Sequence, residues 1–199
     1  MTIVEHASPR RRNAEATRNA ILDAARSVFA REGYDAAGLR EISALAGVDA
    51  ALICRYFGGK EGLFVNVMCS TTDPGEMFCG DPAEFSARIA ETLVYGPTDS
   101  PKMDCIQIML RSAASPRAAE VIRRTGDANF YQPIADWLDA PDAAVKARLL
   151  GALMMGMGVS RSISPDFDLC PEARAKLFDR LRQMIYLAVT GSLAHATPA

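Results

Sequence analysis

The sequence predicts an all-α protein, and three observations carry that prediction. Apolar residues recur at three- and four-residue spacing along most of the 199 residues. No segment alternates convincingly with period two, so strands are not expected. Proline repeatedly stands where a helix can begin, usually just after a residue whose side-chain oxygen can cap it. A chain of this length holds one domain or two closely packed ones, and 49% hydrophobic residues are enough for a substantial core. There is no internal repeat and no low-complexity tract.

The first element expected is a flexible basic arm over residues 1–14, containing Arg10-Arg11-Arg12. Thr17 to Tyr34 then reads as a helix with Ile21, Ala25, Val28 and Phe29 on one face and Gly33 as its stop. Residues 38–57 read as two short helices bent around Gly47. Leu39, Ile42 and Leu45 give the first a small buried stripe, so it stops early. Gly47 takes the positive φ that ends a helix without a Cβ penalty, and Val48 plugs the corner. Asp49 caps the next helix, which docks through Leu52, Ile53, Tyr56 and Phe57 and leaves Ala50, Ala51, Cys54 and Arg55 more open. Gly58-Gly59-Lys60-Glu61-Gly62-Leu63-Phe64 opens another helix. Beyond Ser70, Asp81-Pro82, Ser100-Pro101, Ser115-Pro116 and Cys170-Pro171 place helix starts near 82, 101, 116 and 171, with a further one near 142.

A glycine between two short apolar-periodic helices is the signature of a helix-turn-helix, whose second helix meets base edges in the DNA major groove. Taken alone, the bend also suits an ordinary helical hairpin. The flanks add Ile21-Leu22, Ala24-Ala25, Phe29, Gly33-Tyr34, Ile42, Ala46-Gly47-Val48, Tyr56-Phe57, Lys60-Glu61 and Leu63. With these residues in collinear order over about a quarter of the chain, the sequence resembles the N-terminal domain of TetR-family (tetracycline-repressor-like) transcriptional regulators.

The resemblance implies a three-helix helix-turn-helix domain at 15–60 and a larger helical ligand-binding and dimerisation domain at 61–199. It implies that Ala50, Ala51 and Leu52 face bases, that Arg40 reaches a base or phosphate, and that Tyr56 and Lys60 hold the backbone. Three departures bear on this. Ala37-Gly38 replaces the family's usual Thr pair and removes a hydroxyl cap. Asp49 replaces a Ser, keeping the cap but bringing a negative charge near the phosphates, which should weaken nonspecific affinity. Cys54 stands where a Tyr is common.

The residues themselves give a partly overlapping reading. Arg40 and Arg55 are the nearby arginines able to make a bidentate contact with guanine, although Arg55 reads equally well as a solvated surface charge. Ala50 and Ala51 offer only apolar contact to a thymine methyl, so DNA shape should carry part of the specificity. Lys60, where the next helix begins, can grip a phosphate together with that helix's free N–H groups. The arm reads either as a solvated terminus or as a segment that orders on a minor groove or phosphate backbone. Residues 1–65 hold nine Lys/Arg against eight Asp/Glu and the remainder thirteen against sixteen, so binding must rely on local placement of charge.

In the larger part, Phe85, Met103, Gln107, Met109, Arg111, Phe130 and Trp137 are the candidate lining of a site for a small apolar or amphipathic effector. A Met and aromatic stripe at helical spacing is more often core than ligand lining. Pro133 should bend its helix and open a cavity beside Phe130 and Trp137. Leu150, Leu153, Met157, Leu177, Leu181, Met184 and Ile185 lie on apolar faces of the last two helices, interrupted by Gly151, Gly156 and Gly158, and are the candidate interface of a homodimer. The resemblance implies that these two helices pair with their copies as a four-helix bundle.

Other function classes find little support. His6 and His195 are the only histidines and lie near the chain ends, no Cys/His cluster has metal spacing, and Gly58-Gly59-Lys60 is no phosphate-binding loop, so neither an enzyme nor a metal or other cofactor is expected. Five cysteines without a close pair suit a reducing compartment. The longest apolar run, Leu149 to Val159, is too short to cross a bilayer, and a cytoplasmic protein without a membrane partner is expected. Together these readings anticipate a dimer bound to a palindromic double-stranded operator and released when a ligand displaces the helix beginning at Lys60. The alternative is a dimeric helical small-molecule binder with weak or no DNA binding.

Overall fold

The computed structural model describes residues 9–70 and 74–191, and every regular element among them is helical. Contacts divide the chain into two compact units, one of residues 1–70 with 108–122 and one of 71–107 with 123–199. The first unit therefore runs past the division expected at residue 60 and takes in a second, distant segment of chain.

In the first unit, α1 (Pro9–Ala36) carries an internal break at Gly33, with φ 75° and ψ 177°. The helix already includes residues 9–14, so that part of the expected arm is helical here, while residues 1–8 lie outside the described residues. Ile21, Ala25, Val28 and Phe29 are fully buried, as their spacing predicts. Gly33 is needed twice over. Its backbone falls in a region essentially closed to other residues, and a Cβ there would lie 2.8 Å from the carbonyl oxygen of Arg111. Just beyond the break, the Tyr34 amide donates to Ser112 Oγ at 3.0 Å, and Ser115 Oγ donates to Asp35 at 2.9 Å. These bonds tie the end of α1 to residues 112–115 and explain why that segment belongs to the first unit.

Helices α2 (Leu39–Leu45), α3 (Ala50–Phe57) and α4 (Lys60–Ser70) pack on α1 or on one another around Ile42, Ile53, Phe57, Leu63, Phe64 and Val67. Phe64 sits edge-on to both Phe29 and Tyr34, with ring centroids 5.0 and 4.9 Å apart, so α4 is locked to α1 by aromatic contact. Leu45 departs from its expected place in the buried stripe. It is 58% exposed, because α2 ends in the turn it occupies and buries only Ile42 and Ser43.

The second unit contains α5 (Pro74–Met77), α6 (Pro82–Tyr95), α9 (Gln132–Leu138), α10 (Ala143–Ile163) and α11 (Pro171–Thr190). Helices α7 (Pro101–Ser112) and α8 (Pro116–Gly126) are each shared, the boundary falling within them. Proline opens α6, α7, α8 and α11 where the sequence predicts. Asp81 caps α6 by accepting from the Ala83 and Glu84 amides at 2.8 and 3.0 Å. The core joins Phe85, Ile89 and Leu93 of α6 to Leu150 of α10 and Leu181 and Ile185 of α11.

One buried cation organises this unit. Arg161 is 5% exposed, and its guanidinium donates to the carbonyls of Thr92 and Leu93 at 3.1 and 3.2 Å, to Gly96, and to Pro165 at 3.4 Å. It thereby supplies donors to the carbonyls at the end of α6, a task the planar fork of arginine suits, and of these Thr92 also accepts from the Gly96 amide at 3.2 Å. Burial lowers its pKa, assisted by the like charge of Arg174, and Asp166 opposes the shift.

Candidate nucleic-acid interface

The corner between α2 and α3 is built by backbone bonds around one left-handed residue. Gly47 has φ +66°, its amide donates to Ala44 at 3.2 Å, and the Val48 amide reaches back to Ser43 at 3.0 Å. This pattern closes the end of α2 and turns the chain through a Schellman-type stop. Asp49 then caps α3, accepting from the Ala51 amide at 2.7 Å. The carboxylate lies at the positive end of the α3 dipole.

Ile53 and Phe57 anchor α3 to the unit's core, one turn apart. Anchoring from those two positions directs the remaining faces outward: Ala51, Cys54 and Arg55 are exposed, and Ala50, Leu52 and Tyr56 are half-buried. Arg40, near the start of α2, is exposed as well. The structure therefore brings Arg40, Asp49, Ala50, Ala51, Leu52, Cys54, Arg55 and Tyr56 onto the two-helix corner. Lys60 has partners within the unit that the sequence reading did not name. Its ammonium donates to the carbonyl of Asp35 at 3.0 Å and lies 4.9 Å from the centre of the Tyr34 ring, so it already tethers the start of α4 to the end of α1. Burial pushes its pKa down, and Asp35 pulls it partly back.

Two further cations on α1 are engaged within the unit: Arg18, which the sequence offers as the continuation of the basic arm, and Arg31, which it does not single out. Arg18 donates to Asn66 at 2.5 Å and covers the Phe57 ring at 5.2 Å, bracing the end of α3. Arg31 pairs with Glu32 and Glu41, which fixes α2 against α1 at the surface. Their identity as arginines was visible; their partners, 48 and ten residues away, were not.

In the second unit, the candidate effector residues fall into two groups. Phe85 and Phe130 flank Phe78, with centroid distances of 6.2 and 5.5 Å, and Trp137 packs on Phe85 at 4.8 Å. Met103 is buried and Gln107 half-buried on the part of α7 that belongs to this unit. Met109 and Arg111 lie in the first unit, where Arg111 is exposed and its backbone abuts Gly33. The helical run through Pro133 adjusts by a π-helical turn, Asp127–Tyr131, immediately before α9. A wider turn there is a recognised way to accommodate a proline lacking its amide.

The apolar faces of the last helices also divide. Leu150, Leu181 and Ile185 are at most 2% exposed and belong to the unit's own core, so their side chains are taken up within one subunit rather than left for a partner. Leu153, Met157 and Leu177 are half-buried, and Met184 is 53% exposed. The outward face of α10 consists instead of Val145, Leu149, Ala152, Gly156 and Ile163, with half-buried Val159 between the last two. Their alternating four- and three-residue steps are those of a helix-pairing seam. The whole helix, at 21 residues, is long and apolar enough by length and composition to cross a bilayer, which the run from Leu149 to Val159 did not suggest. Lys146, Arg148 and the buried Arg161 interrupt it.

Residues 21–67 match the family described as bacterial regulatory proteins, tetR family, and residues 83–187 match the tetracyclin repressor-like C-terminal domain. The chain belongs to the TetR family. Within this family of DNA-binding regulators, which are not enzymes, it is 38% identical over 93 residues to the HTH-type transcriptional regulatory protein RaaS of Mycobacterium tuberculosis, covering 43% of each chain. It is 42% identical over 59 residues to the HTH-type transcriptional repressor NicS of Pseudomonas putida, covering 30% of this chain and 28% of that one. The chain thus matches less than half the length of these curated relatives. Among solved structures, NalD, the secondary repressor of the MexAB-OprM multidrug efflux pump in Pseudomonas aeruginosa, shares the fold with a TM-score of 0.65 at 21% identity, over 85% of this chain and 95% of that one. The fatty acid degradation regulator FadR of Bacillus halodurans does so with a TM-score of 0.62 at 17% identity, over 87% and 98%. The TetR helix-turn-helix match includes the Gly47 corner and all of α3.

Proposed function

We propose that this TetR-family chain is a repressor that binds a roughly palindromic DNA operator as a homodimer and is released by a small apolar or amphipathic molecule. The observation that carries the reading is the α3 surface: a capped helix, anchored by Ile53 and Phe57, presents Ala51, Cys54 and Arg55 outward beside Arg40. A helix held in this way fits a major groove, with Arg40 or Arg55 able to reach guanine and the alanines a thymine methyl. The seam on α10 supports pairing of two copies, because a single subunit leaves Leu149 and Val145 57% and 62% exposed. Two copies related by a dyad would carry two α3 helices to half-sites about one DNA turn apart.

Release requires the effector to favour a spacing of the α3 helices that does not fit the operator. A coupling of about 1–3 kcal/mol corresponds to a change of roughly 5- to 150-fold in operator affinity. The test is selection of duplexes from a random pool, followed by fluorescence anisotropy at several salt concentrations. A dyad-symmetric consensus and a steep fall in affinity with salt are expected. Recovery of no consensus would refute the operator reading. That outcome would instead favour a helical small-molecule binder with little affinity for DNA, a reading supported by Asp49 at the tip of α3 and by the engagement of Lys60 within its own unit.

A further inference from the structure

Beside Trp137 of the aromatic cluster, an open cavity of about 400 Å³ lies at one end of the second unit. Gly80 and Pro82 border it at the start of α6, Trp137 and Leu138 at the end of α9, Lys146 in the second turn of α10, and Val189 with Thr190 at the end of α11. Of the residues expected to line an effector site, only Trp137 takes part. Its volume lies within the range of small-molecule sites.

The lining mixes apolar and polar groups in nearly equal measure. Trp137, Leu138, Pro82 and Val189 supply apolar wall, and Lys146 supplies a cation at its edge. That cation is held in place: the Lys146 side chain is only 13% exposed and its ammonium pairs with Asp142 at 2.9 Å, whereas the Asp142 side chain is 59% exposed. The lysine also runs beside Gly191, the residue that terminates α11, so the negative end of that helix dipole helps to fix the charge. Asp142 is a solvated carboxylate one turn away on the same helix, and another carboxylate can replace it at the ammonium without leaving a buried charge unpaired.

We infer that this cavity is a binding site for an amphipathic carboxylate, with the hydrocarbon against Trp137, Leu138 and Val189 and the carboxylate on Lys146. It takes no account of DNA, and it deepens the effector reading above only in naming a ligand class. Trp137 is the sole tryptophan of the chain, so its emission reports directly on the cavity.

The experiment titrates the full chain with decanoate and, in parallel, with decanol, following Trp137 emission. Saturable binding of decanoate is expected, stronger than that of decanol by about tenfold or more, the usual worth of a charge-assisted hydrogen bond. Lys146→Met should remove that preference while decanol binding persists. Asp142→Asn, a change at an exposed side chain, should tighten decanoate binding several-fold by freeing the ammonium, and it decides the matter should Lys146→Met fail to fold. An unsaturable response, or equal affinity for acid and alcohol that neither variant alters, would overturn the site. Decanoate that binds as expected yet leaves operator affinity unchanged would refute its role as effector and leave the site standing.

Discussion

Replacing Gly47 and Gly33 separately by alanine should produce costs of clearly different size, and the structure says why. Both residues have positive φ, +66° and +75°. At Gly47 an added Cβ meets nothing within 4 Å, so alanine suffers only the left-handed backbone penalty, about 1–2 kcal/mol. At Gly33 the ψ of 177° places the residue in a region worth about 1–3 kcal/mol of strain for any side chain. The new methyl would also lie 2.8 Å from the Arg111 carbonyl, and because that atom is backbone it cannot rotate aside. Overpacking of this kind costs a further 1–3 kcal/mol or so. Urea unfolding followed by far-ultraviolet circular dichroism measures both, and Gly47→Asn adds a control, since asparagine tolerates the left-handed region better. Gly33→Ala should lower the midpoint substantially more than Gly47→Ala, and Gly47→Asn should lie near the wild type. Equal losses at the two positions would refute the claim that α1 and residues 108–122 meet through the Gly33 contact.

Leu149→Glu and Met184→Glu alter side chains that a single copy leaves more than half exposed, so each should leave folding nearly intact and, on the proposed homodimer, shift sedimentation from dimer to monomer. Leu150→Ala, one residue away but fully buried, should instead cost about 2–5 kcal/mol of stability. Arg161→Met would strand the carbonyls of Leu93 and Gly96, and a loss of about 3 kcal/mol or more is expected in thermal or urea unfolding. Burial first, and then the charge of Glu61, push the Tyr34 phenol upward, with Arg117 opposing. Above the ordinary tyrosine value of 10.0 the unfolded chain gives up this proton before the folded one, so stability falls as pH rises through that region. Unfolding curves recorded across alkaline pH should show a smaller fall for Tyr34→Phe.

The parts of the fold that local chemistry decides were readable in the chain. Gly47 and Asp49 define the corner through one backbone angle and one cap, and prolines 82, 101, 116 and 171 open helices because their missing amide is harmless there. What could not be read depends on partners distant in sequence. Leu149 and Leu150 are chemically identical neighbours, and only the packing of α6 and α11 decides that Leu150 turns inward. Arg161 looks like a surface charge until the end of α6 supplies its acceptors, 65 to 69 residues earlier. Lys60 suits a phosphate by its place at a helix start, and its contacts with the Asp35 carbonyl and the Tyr34 ring, 25 residues or more away, could not be read from that place. Met103, Gln107, Met109 and Arg111, offered for an effector lining, sit on one continuous α7, Pro101–Ser112, whose first turns pack with the second unit and last turns with the first, a division that spacing along the helix does not show.

Hydroxyl-radical footprinting on a selected duplex tests most directly whether the outward surface of α3 meets DNA twice. Two protected stretches related by a dyad and centred about one helical turn apart are expected. Both should vanish for Ala51→Glu, which sets a second carboxylate beside Asp49 on an exposed position and leaves the buried anchors Ile53 and Phe57 untouched. A footprint that survives Ala51→Glu unchanged, or a single protected stretch without a symmetry mate, would contradict that double contact.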